Sequence, residues 1–210
     1  MILSYQHEFI FVAIPKTATH AIREALRPHL GPHDWEQCTL FAKKYFPIET
    51  LARIGHGHIT GAQIRPFLLP GMWDRYFKFC VVRNPYDRFV SYCYFVHEKG
   101  RRMNEDPLVT MKETIDDKRT RGRVSFRPQH EFITDGDGRI TVDCVSKYED
   151  LQSDFDHICR RIHLPALRLP IVNASSRQPY RECFDGELLE KVHAFYARDF
   201  ALFDYPVELA

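Results

Sequence analysis

The sequence predicts an α/β fold in which helices flank a central, mostly parallel β-sheet. Apolar runs rich in β-forming residues alternate along the chain with amphipathic runs at helical spacing. Two of the predicted strands lead through a short polar turn directly into a helix. The 210 residues, 44% of them hydrophobic, suffice for one domain with a sizeable core, and no linker rich in Gly or Ser divides the chain. We therefore expect a single domain over residues 1–210.

The first strand–turn–helix unit occupies the start of the chain. An apolar run rich in β-formers predicts a strand over residues 8–14, which ends at Pro15. Helical spacing of apolar residues then predicts a helix over 17–30, with an uncertain end at Pro28. Such a unit presents free backbone N–H groups at the start of its helix, which is the geometry of a phosphate-binding loop.

The second unit of this kind follows near the middle of the chain. Residues 76–83 predict a strand with an apolar core. Asn84 is then typical of a helix N-cap, and Pro85 of the first helical residue. We expect this helix to run to about Glu98 and to end before Gly100.

Patterns elsewhere predict shorter or less regular elements. In chain order these are a strand or loop over 53–60, a short helix over 61–69, a hairpin over 132–142, a strand over 145–148, and amphipathic helices over 151–162 and 187–200.

Composition and charge exclude several classes of protein. Lys and Arg number 29 against 28 Asp and Glu, so the formal net charge is +1 and no nucleic-acid partner is expected. No apolar run approaches the ~18 residues of a membrane span. The first residues lack a secretory signal, and the six cysteines form no C-x-x-C pair. We expect a cytoplasmic protein with reduced thiols, although a piece of a longer protein is left open.

The first candidate site is the turn between the first strand and its helix. Lys16 stands beside the hydroxyls of Thr17 and Thr19, where a phosphate or sulfate group would also meet backbone N–H donors. The spacing is not that of a Walker A loop, and no glycine lies in the turn. A plain helix start with a solvated Lys16 is the alternative interpretation.

The second candidate site follows the second strand. Arg83 stands at the carboxyl end of the predicted strand, where ligands of α/β proteins bind, and Ser91 lies two helical turns further on. A guanidinium group with a hydroxyl suits a dianionic phosphate. The alternative is a structural ion pair between Arg83 and Asp87. Two anion sites at neighbouring strand ends would suit a nucleotide with two separate phosphate groups.

A pair of histidines, in the sequence His56-Gly57-His58, is the third candidate. A hydroxyl group that attacks an electrophile must lose its proton, and imidazole, with a pKa near ~6.5, suits a general base at neutral pH. Two surface histidines or a metal-binding pair are the alternatives. No third ligand stands nearby at a suggestive spacing, so no metal is expected.

A basic stretch forms the fourth candidate. It contains Lys118, Arg119, Arg121, Arg123 and Arg127 without an intervening acid. A solvated loop is one interpretation. The other is a rim that recognises an anionic acceptor, with Arg123 and Arg127 as the contacts.

The two turns together resemble those of the sulfotransferases that use 3′-phosphoadenosine 5′-phosphosulfate (PAPS). Pro15-Lys16-Thr17 is similar to their 5′-phosphosulfate loop, and the segment from Arg83 to Ser91 is similar to their 3′-phosphate motif. The resemblance is greatest to the carbohydrate sulfotransferases, including the heparan sulfate and uronyl 2-O-sulfotransferases. Further similar segments are 126–129, 148–151, 173–177, 196–200 and 203–205.

The resemblance implies a P-loop-like, three-layer fold and a set of donor contacts. Lys16 would neutralise the oxygen that leaves towards the 5′-phosphate, and the residues that would hold this phosphate are Thr17, Ala18, Thr19 and His20. His20 departs from the family, which has a hydroxyl residue there, so imidazole either replaces that contact or loses it. Arg83 and Ser91 would hold the 3′-phosphate, and Arg177 and Ser175 are further candidates from a similar loop.

For the acceptor, the resemblance implies a hydroxyl group, with a carbohydrate favoured. His58 would be the general base and His56 a supporting or substrate-contacting residue, without a metal. Two other functions are left open by the residues themselves. One is a kinase with a degenerate phosphate loop, and the other is a non-catalytic module that binds the product 3′-phosphoadenosine 5′-phosphate (PAP) or a glycan.

Overall fold

The structure is a computed structural model that describes residues 1–40, 42–97, 102–170 and 179–209. Its strands are β1 (Ile2–Ser4), β2 (Phe9–Phe11), β3 (Trp35–Glu36), β4 (Phe77–Val82) and β5 (Cys144–Lys147). Its helices are α1 (Thr19–Leu26), α2 (Glu49–Ala52), α3 (Gly61–Ile64), α4 (Met72–Arg75), α5 (Pro85–His97), α6 (Arg102–Glu105), α7 (Pro107–Asp116), α8 (Lys118–Arg121), α9 (Leu151–Arg161) and α10 (Gly186–Leu202).

The strands form one sheet in the order β3-β1-β2-β4-β5. β2 pairs in parallel with β4, and β4 pairs in parallel with β5, whereas β1 is antiparallel to both β2 and β3. All strands except β1 therefore point the same way. The two strands expected to lead into candidate sites, β2 and β4, are neighbours in the sheet. The α/β class with a mostly parallel central sheet is confirmed.

Helices pack on both faces of this sheet because its strands carry apolar side chains on each face. One face makes a core with the apolar sides of α1 and α9; its members include Phe9, Phe11, Phe79, Val81, Ile22, Leu26, Phe155 and Ile158. On the opposite face of β4, the buried Lys78 donates to the carbonyl of Trp73 in α4 at 2.8 Å. This packing holds β2, α1 and the turn between them.

Two compact units make up the described chain. The first takes its described residues from Met1–Val82 and Glu131–Val172 and contains the sheet, α1 to α4 and α9. The second takes them from Arg83–His130 and Asn173–Ala210 and contains α5 to α8 and α10. The single domain expected over residues 1–210 stays a prediction.

Several elements differ from the sequence-based expectations. α1 ends at Leu26 rather than near residue 30, because Pro28 has no N–H to continue the helix. Residues 132–142 form a turn with one isolated bridge, Thr134 to Ile140, instead of two paired strands. The Asp135 carboxylate accepts two backbone N–H groups within this turn, which replaces ladder hydrogen bonds. The expected end of α5 at Glu98 lies outside the described residues.

Three further findings concern membrane-spanning helices, metal-binding clusters and cysteine thiols. Within the described ranges, no helix combines the length and apolar character needed to cross a membrane. The same ranges hold no cluster of three or more His, Cys, Asp or Glu side chains suited to a metal ion. All six cysteines are free thiols. The cytoplasmic location and the absence of a metal stay predictions.

Candidate functional site

The turn between β2 and α1 is tight and is built without glycine. Lys16 and Ala18 both adopt left-handed backbone conformations, with φ of 69° and 60°. This conformation costs a non-glycine residue about 1–2 kcal/mol. The buried Thr17 hydroxyl donates to the Ile14 carbonyl at 2.9 Å and so closes the turn. The hydroxyl hydrogen of Thr17 is therefore used within the turn, and Thr17 offers a ligand its backbone N–H.

The start of α1 has no side-chain cap. Ala18 occupies the N-cap position, and its methyl side chain makes no capping hydrogen bond to the first turn. The half-buried Lys16 stands two residues before this position. The uncapped N–H groups, the positive end of the helix dipole and an ammonium group together make an arrangement that suits an anion.

His20 lies in the first turn of α1 and is half-buried. Burial, followed by the nearby positive charges of Arg23 and Lys16, lowers the pKa of His20 to about 4. The ring is therefore neutral at neutral pH. It can donate one N–H to an anion, as the hydroxyl found there in the resembling family would, but it adds no charge.

His58 lies against the same turn. Its Nδ1 is 2.8 Å from the carbonyl oxygen of Ala13, and because a carbonyl only accepts, Nδ1 carries the hydrogen. Nε2 is then the basic nitrogen, and within the described ranges it has no hydrogen-bond partner. Desolvation of the ring, with a smaller contribution from Arg23, lowers the pKa of His58 well below 6.5. The structure thus brings together the first and third motifs and keeps this imidazole neutral.

Two residues that the sequence analysis did not select hold the histidine segment in place. The Arg23 guanidinium donates to the Gly57 carbonyl at 2.9 Å, and the Gln37 side-chain amide donates to the His56 carbonyl at 2.9 Å. His56 in turn accepts the backbone N–H of His58 at its Nδ1. One signal for Arg23 was available: a charged residue stands on the face of α1 that the pattern predicts to be buried.

The turn between β4 and α5 is held by side chains. The Asn84 carboxamide accepts the Tyr86 N–H at 2.9 Å, which confirms the expected N-cap. The Arg83 guanidinium forms an ion pair with Asp87 at 2.7 Å, as in the alternative interpretation of this motif. A guanidinium has five N–H donors, so this pair alone does not use them all.

Gln129 also binds Arg83, through the backbone. Its side chain accepts the Arg83 N–H and donates to the Arg83 carbonyl, both at 2.9 Å. The fully buried Asp199 accepts the backbone N–H of Gln129 at 2.7 Å and also binds the His130 ring. The segments 126–129 and 196–200, which had no assigned role in the sequence, therefore fix the backbone of Arg83. The resemblance of both segments to the family was the one sequence signal, and no local period or capping pattern indicates these contacts.

The other predicted site residues have separate locations. Ser91 is half-buried on α5, Arg127 is half-buried, and Arg123 is exposed just after α8. The basic stretch is partly helical, because the Asp117 carboxylate caps α8 by accepting two backbone N–H groups. Ser175 and Arg177 lie outside the described residues.

A cavity of about 310 Å³ opens beside the start of α3. Gly61, the third residue after His58, contributes to its lining. Trp73 supplies an aromatic wall, over which the Arg65 guanidinium lies at 5.8 Å, and Asp135 and Thr141 add polar groups. A mixture of aromatic, charged and hydroxyl groups suits a polar organic ligand.

Three comparisons with known proteins bear on the function of this site. No curated protein matches the chain. A solved structure of a sulfotransferase from Alicyclobacillus acidocaldarius is similar, with 18% sequence identity, coverage of 95% of this chain and 96% of that chain, and a TM-score of 0.46. Residues 1–206 match the sulfotransferase family. Because this match spans nearly the whole sequence, the chain belongs to the sulfotransferase family, and its class of reaction is sulfuryl transfer.

Proposed function

We propose that the protein transfers the sulfuryl group of PAPS to a hydroxyl group of a carbohydrate by in-line displacement. One observation carries the proposal. His58 is held on the carbonyl of Ala13, at the strand end that leads into the Lys16 turn, and its Nε2 has no partner within the described residues. A neutral imidazole beside an anion-binding turn is the pairing that this reaction needs.

The first turn fits the phosphosulfate end of the donor by its chemistry. Its uncapped helix N-terminus and the Lys16 ammonium suit an anionic group. Lys16, Thr17 and the backbone N–H groups of residues 18–20 would hold the 5′-phosphosulfate. When bound, PAPS supplies a sulfuryl group attached to a stable leaving group.

The 3′-phosphate contacts rest on the family resemblance. Arg83 and Ser91 would hold this phosphate, with Ser175 and Arg177 as further contacts. The Arg83 backbone is held by Gln129 and its guanidinium by Asp87, so the cation would meet the phosphate with little loss of side-chain entropy.

His58 and Lys16 would divide the chemical step between them. His58 Nε2 takes the proton of the acceptor hydroxyl as its oxygen forms a bond to sulfur. Lys16 neutralises the charge that develops on the leaving oxygen of the 5′-phosphate as the bond between that oxygen and sulfur breaks. The products are the sulfated acceptor and PAP, and the proton remains on His58 until solvent removes it. These groups supply the positive charge, so the proposal includes no metal.

A carbohydrate is proposed as the acceptor because the motifs resemble those of carbohydrate sulfotransferases. The cavity beside α3 supports this class, since Arg65, Asp135 and Thr141 in its lining can bind hydroxyl groups. His56 would contact the acceptor or support His58. Arg123 and Arg127 would bind anionic substituents.

The test is transfer from PAPS to a panel of saccharides, followed by mass spectrometry, for the wild type and the His58→Ala variant. We expect the variant to lose about a hundredfold or more of the rate, which is the usual contribution of a general base, while calorimetry shows PAP affinity within about threefold. The exposed His157 provides the matched control, and His157→Ala should behave as the wild type.

Other outcomes would contradict the proposal. Retained turnover in His58→Ala would remove His58 as the base. Mg²⁺-dependent phosphoryl transfer from ATP would identify a kinase instead. PAP binding without transfer to any acceptor would identify a binding module.

A further inference from the structure

Arg23 is a buried cation without an ion-pair partner in the part of the chain that the structure describes. Only 3% of its surface is exposed, and its Nε makes no hydrogen bond. Its Nη2 donates to the Gly57 carbonyl at 2.9 Å, and the buried Cys38 thiol is a second, weak hydrogen-bond partner of the guanidinium. Burying an unpaired charge costs several kcal/mol, so a residue that served only packing would be better replaced by an apolar one.

The contact with Gly57 leaves no room for a side chain between the two histidines. A Cβ atom on Gly57 would lie 2.2 Å from the Gln37 carbonyl oxygen and 2.7 Å from Arg23 Nη2. Both distances are shorter than van der Waals contact. The glycine of the His-Gly-His sequence is therefore required by the close approach of Arg23 and Gln37.

Gln37 holds the other side of the same segment. Its side-chain amide donates to the carbonyls of His56 and Leu51, both at 2.9 Å, and its side-chain oxygen accepts the Phe46 N–H at 3.1 Å. The carbonyls of residues 56 and 57 are thus bound by two different side chains, and the Gly57 carbonyl also accepts a hydrogen bond from the Met1 amino group. The His58 ring, bound to Ala13, follows immediately.

We propose that Arg23 is a positioning residue for sulfuryl transfer, which holds the Gly57 carbonyl so that His58 stays on Ala13 with Nε2 directed away from that bond. The inference rests on the proposed function, because it takes His58 as the base. Arg23 would act only through His58 and would touch neither donor nor acceptor.

The charge of Arg23 adds to this role. Three groups besides desolvation lower the pKa of His58: Arg23 from α1, the amino group of Met1 before β1, and His56 on the same segment; the Ala13 carbonyl opposes them. Removing the Arg23 charge should therefore raise the pKa of His58. In a plot of kcat against pH, the fall in rate on the acidic side, called the acidic limb below, should therefore move to higher pH.

The experiment compares Arg23→Met, which loses both donor and charge, with Arg23→Gln, which keeps an N–H donor. We expect Arg23→Met to lower kcat about tenfold or more, with KM for PAPS and PAP affinity within about twofold, and to move the acidic limb upwards. Arg23→Gln should move the limb equally but recover most of kcat at high pH, because its amide can still donate to Gly57.

Arg27 is the matched control, since it lies near the end of the same helix. Its guanidinium binds Glu36 at 2.9 and 3.0 Å, and among the described residues it makes no hydrogen bond or ion pair with residues 56–58. Arg27→Met should lower the melting temperature through loss of that ion pair while kcat and the acidic limb stay as in the wild type. Equal losses of kcat, PAP affinity and melting temperature in Arg23→Met would show a merely structural role and overturn the proposal.

A second measurement does not need turnover. The ¹⁵N shifts of the His58 ring in the full chain report its tautomer and its pKa. We expect the Nδ1–H tautomer of His58 in the wild type and a raised pKa of His58 in Arg23→Gln. The Arg23→Gln variant also provides the test if Arg23→Met does not fold. An unchanged His58 titration in Arg23→Gln would overturn the inference. If the shift occurs in a protein without sulfuryl transfer, the positioning of His58 stands and the proposed function fails.

Discussion

The turn before α1 and the turn before α5 follow neighbouring parallel strands but are built in opposite ways. In the first, Lys16 and Ala18 take left-handed conformations and no side chain caps the helix. In the second, Asn84 caps the helix, and Arg83 is bound by Asp87 and Gln129. The first turn leaves backbone donors available to an anion, whereas the second uses its own side chains to fix one cation.

The difference teaches what each turn can contribute to a reaction. Backbone N–H groups and an ammonium that already face the place where negative charge develops stabilise the transition state, which lowers a barrier. An arginine whose backbone and guanidinium are both held in place can bind a charge that stays the same during the reaction, and it fixes the position of the group that carries this charge. Changes in the first turn should therefore affect rate, and changes in the second should affect affinity.

Substitution of Lys16 should have the largest effect. We expect Lys16→Ala to lower kcat by about 10²–10³-fold, the usual cost of removing one group that stabilises developing charge, and to weaken PAP binding by less than about tenfold. Turnover assays and calorimetry would measure both. Lys44→Ala is the control, because Lys44 is exposed and pairs with Glu36. A loss of PAP affinity as large as the loss of rate would end the distinction between the turns.

Loss of the Gln129 contacts should have a smaller effect than loss of Lys16, and it should change the affinity for PAP. Gln129→Met leaves the Arg83 N–H and carbonyl without partners, so we expect PAP to bind about tenfold more weakly. Adenosine 5′-phosphosulfate, which lacks the 3′-phosphate, should bind as before. Gln152→Met is the control, since Gln152 binds the Leu167 carbonyl on the other unit. Equal weakening of both nucleotides would show that Gln129 does not act through the 3′-phosphate.

Acid should act on the first turn, because two histidines with lowered pKa values, His20 and His58, lie in this turn or against it. His20, with its pKa lowered to about 4, and His58, with its pKa lowered well below 6.5, resist protonation when folded. Below about pH 6.5 the unfolded chain binds these protons and the folded protein does not, so the free energy of unfolding falls as the pH falls.

Thermal unfolding at about pH 7.5 and about pH 5 would measure this loss. His20→Gln and His58→Gln should each reduce the difference between the two melting temperatures. His157→Gln, at an exposed position, should leave it unchanged. A wild-type difference that neither substitution reduces would place the acid sensitivity elsewhere.

The smallest effect is expected at Ala18. Its left-handed conformation costs about 1–2 kcal/mol, and the greater freedom of an unfolded glycine offsets about 0.5–1 kcal/mol of that. Ala18→Gly should therefore raise the melting temperature by about 1–3 °C. Ala25→Gly, inside α1, should lower it. A lower melting temperature for Ala18→Gly would mean that the turn does not hold the strained conformation.

Local patterns determined the elements that depend on neighbouring residues. The alternation of strand and helix signals predicted the α/β class, and Asn84 and Pro85 predicted the start of α5, because period and capping act over a few residues. The short strands β1 and β3 gave no such signal, since two or three residues become a strand only through a ladder partner.

The same limit applies to the candidate site. The sequence by itself placed Lys16, Arg83 and His58 after strands or in a recognisable spacing. Only the tertiary structure decided which nitrogen of His58 is basic, because the Ala13 carbonyl that selects it lies 45 residues away. It also brought Arg23 and Gln129 to their partners, which are 34 and 46 residues distant. Hydrogen bonds between distant segments depend on how the chain folds back on itself, and no local pattern records that.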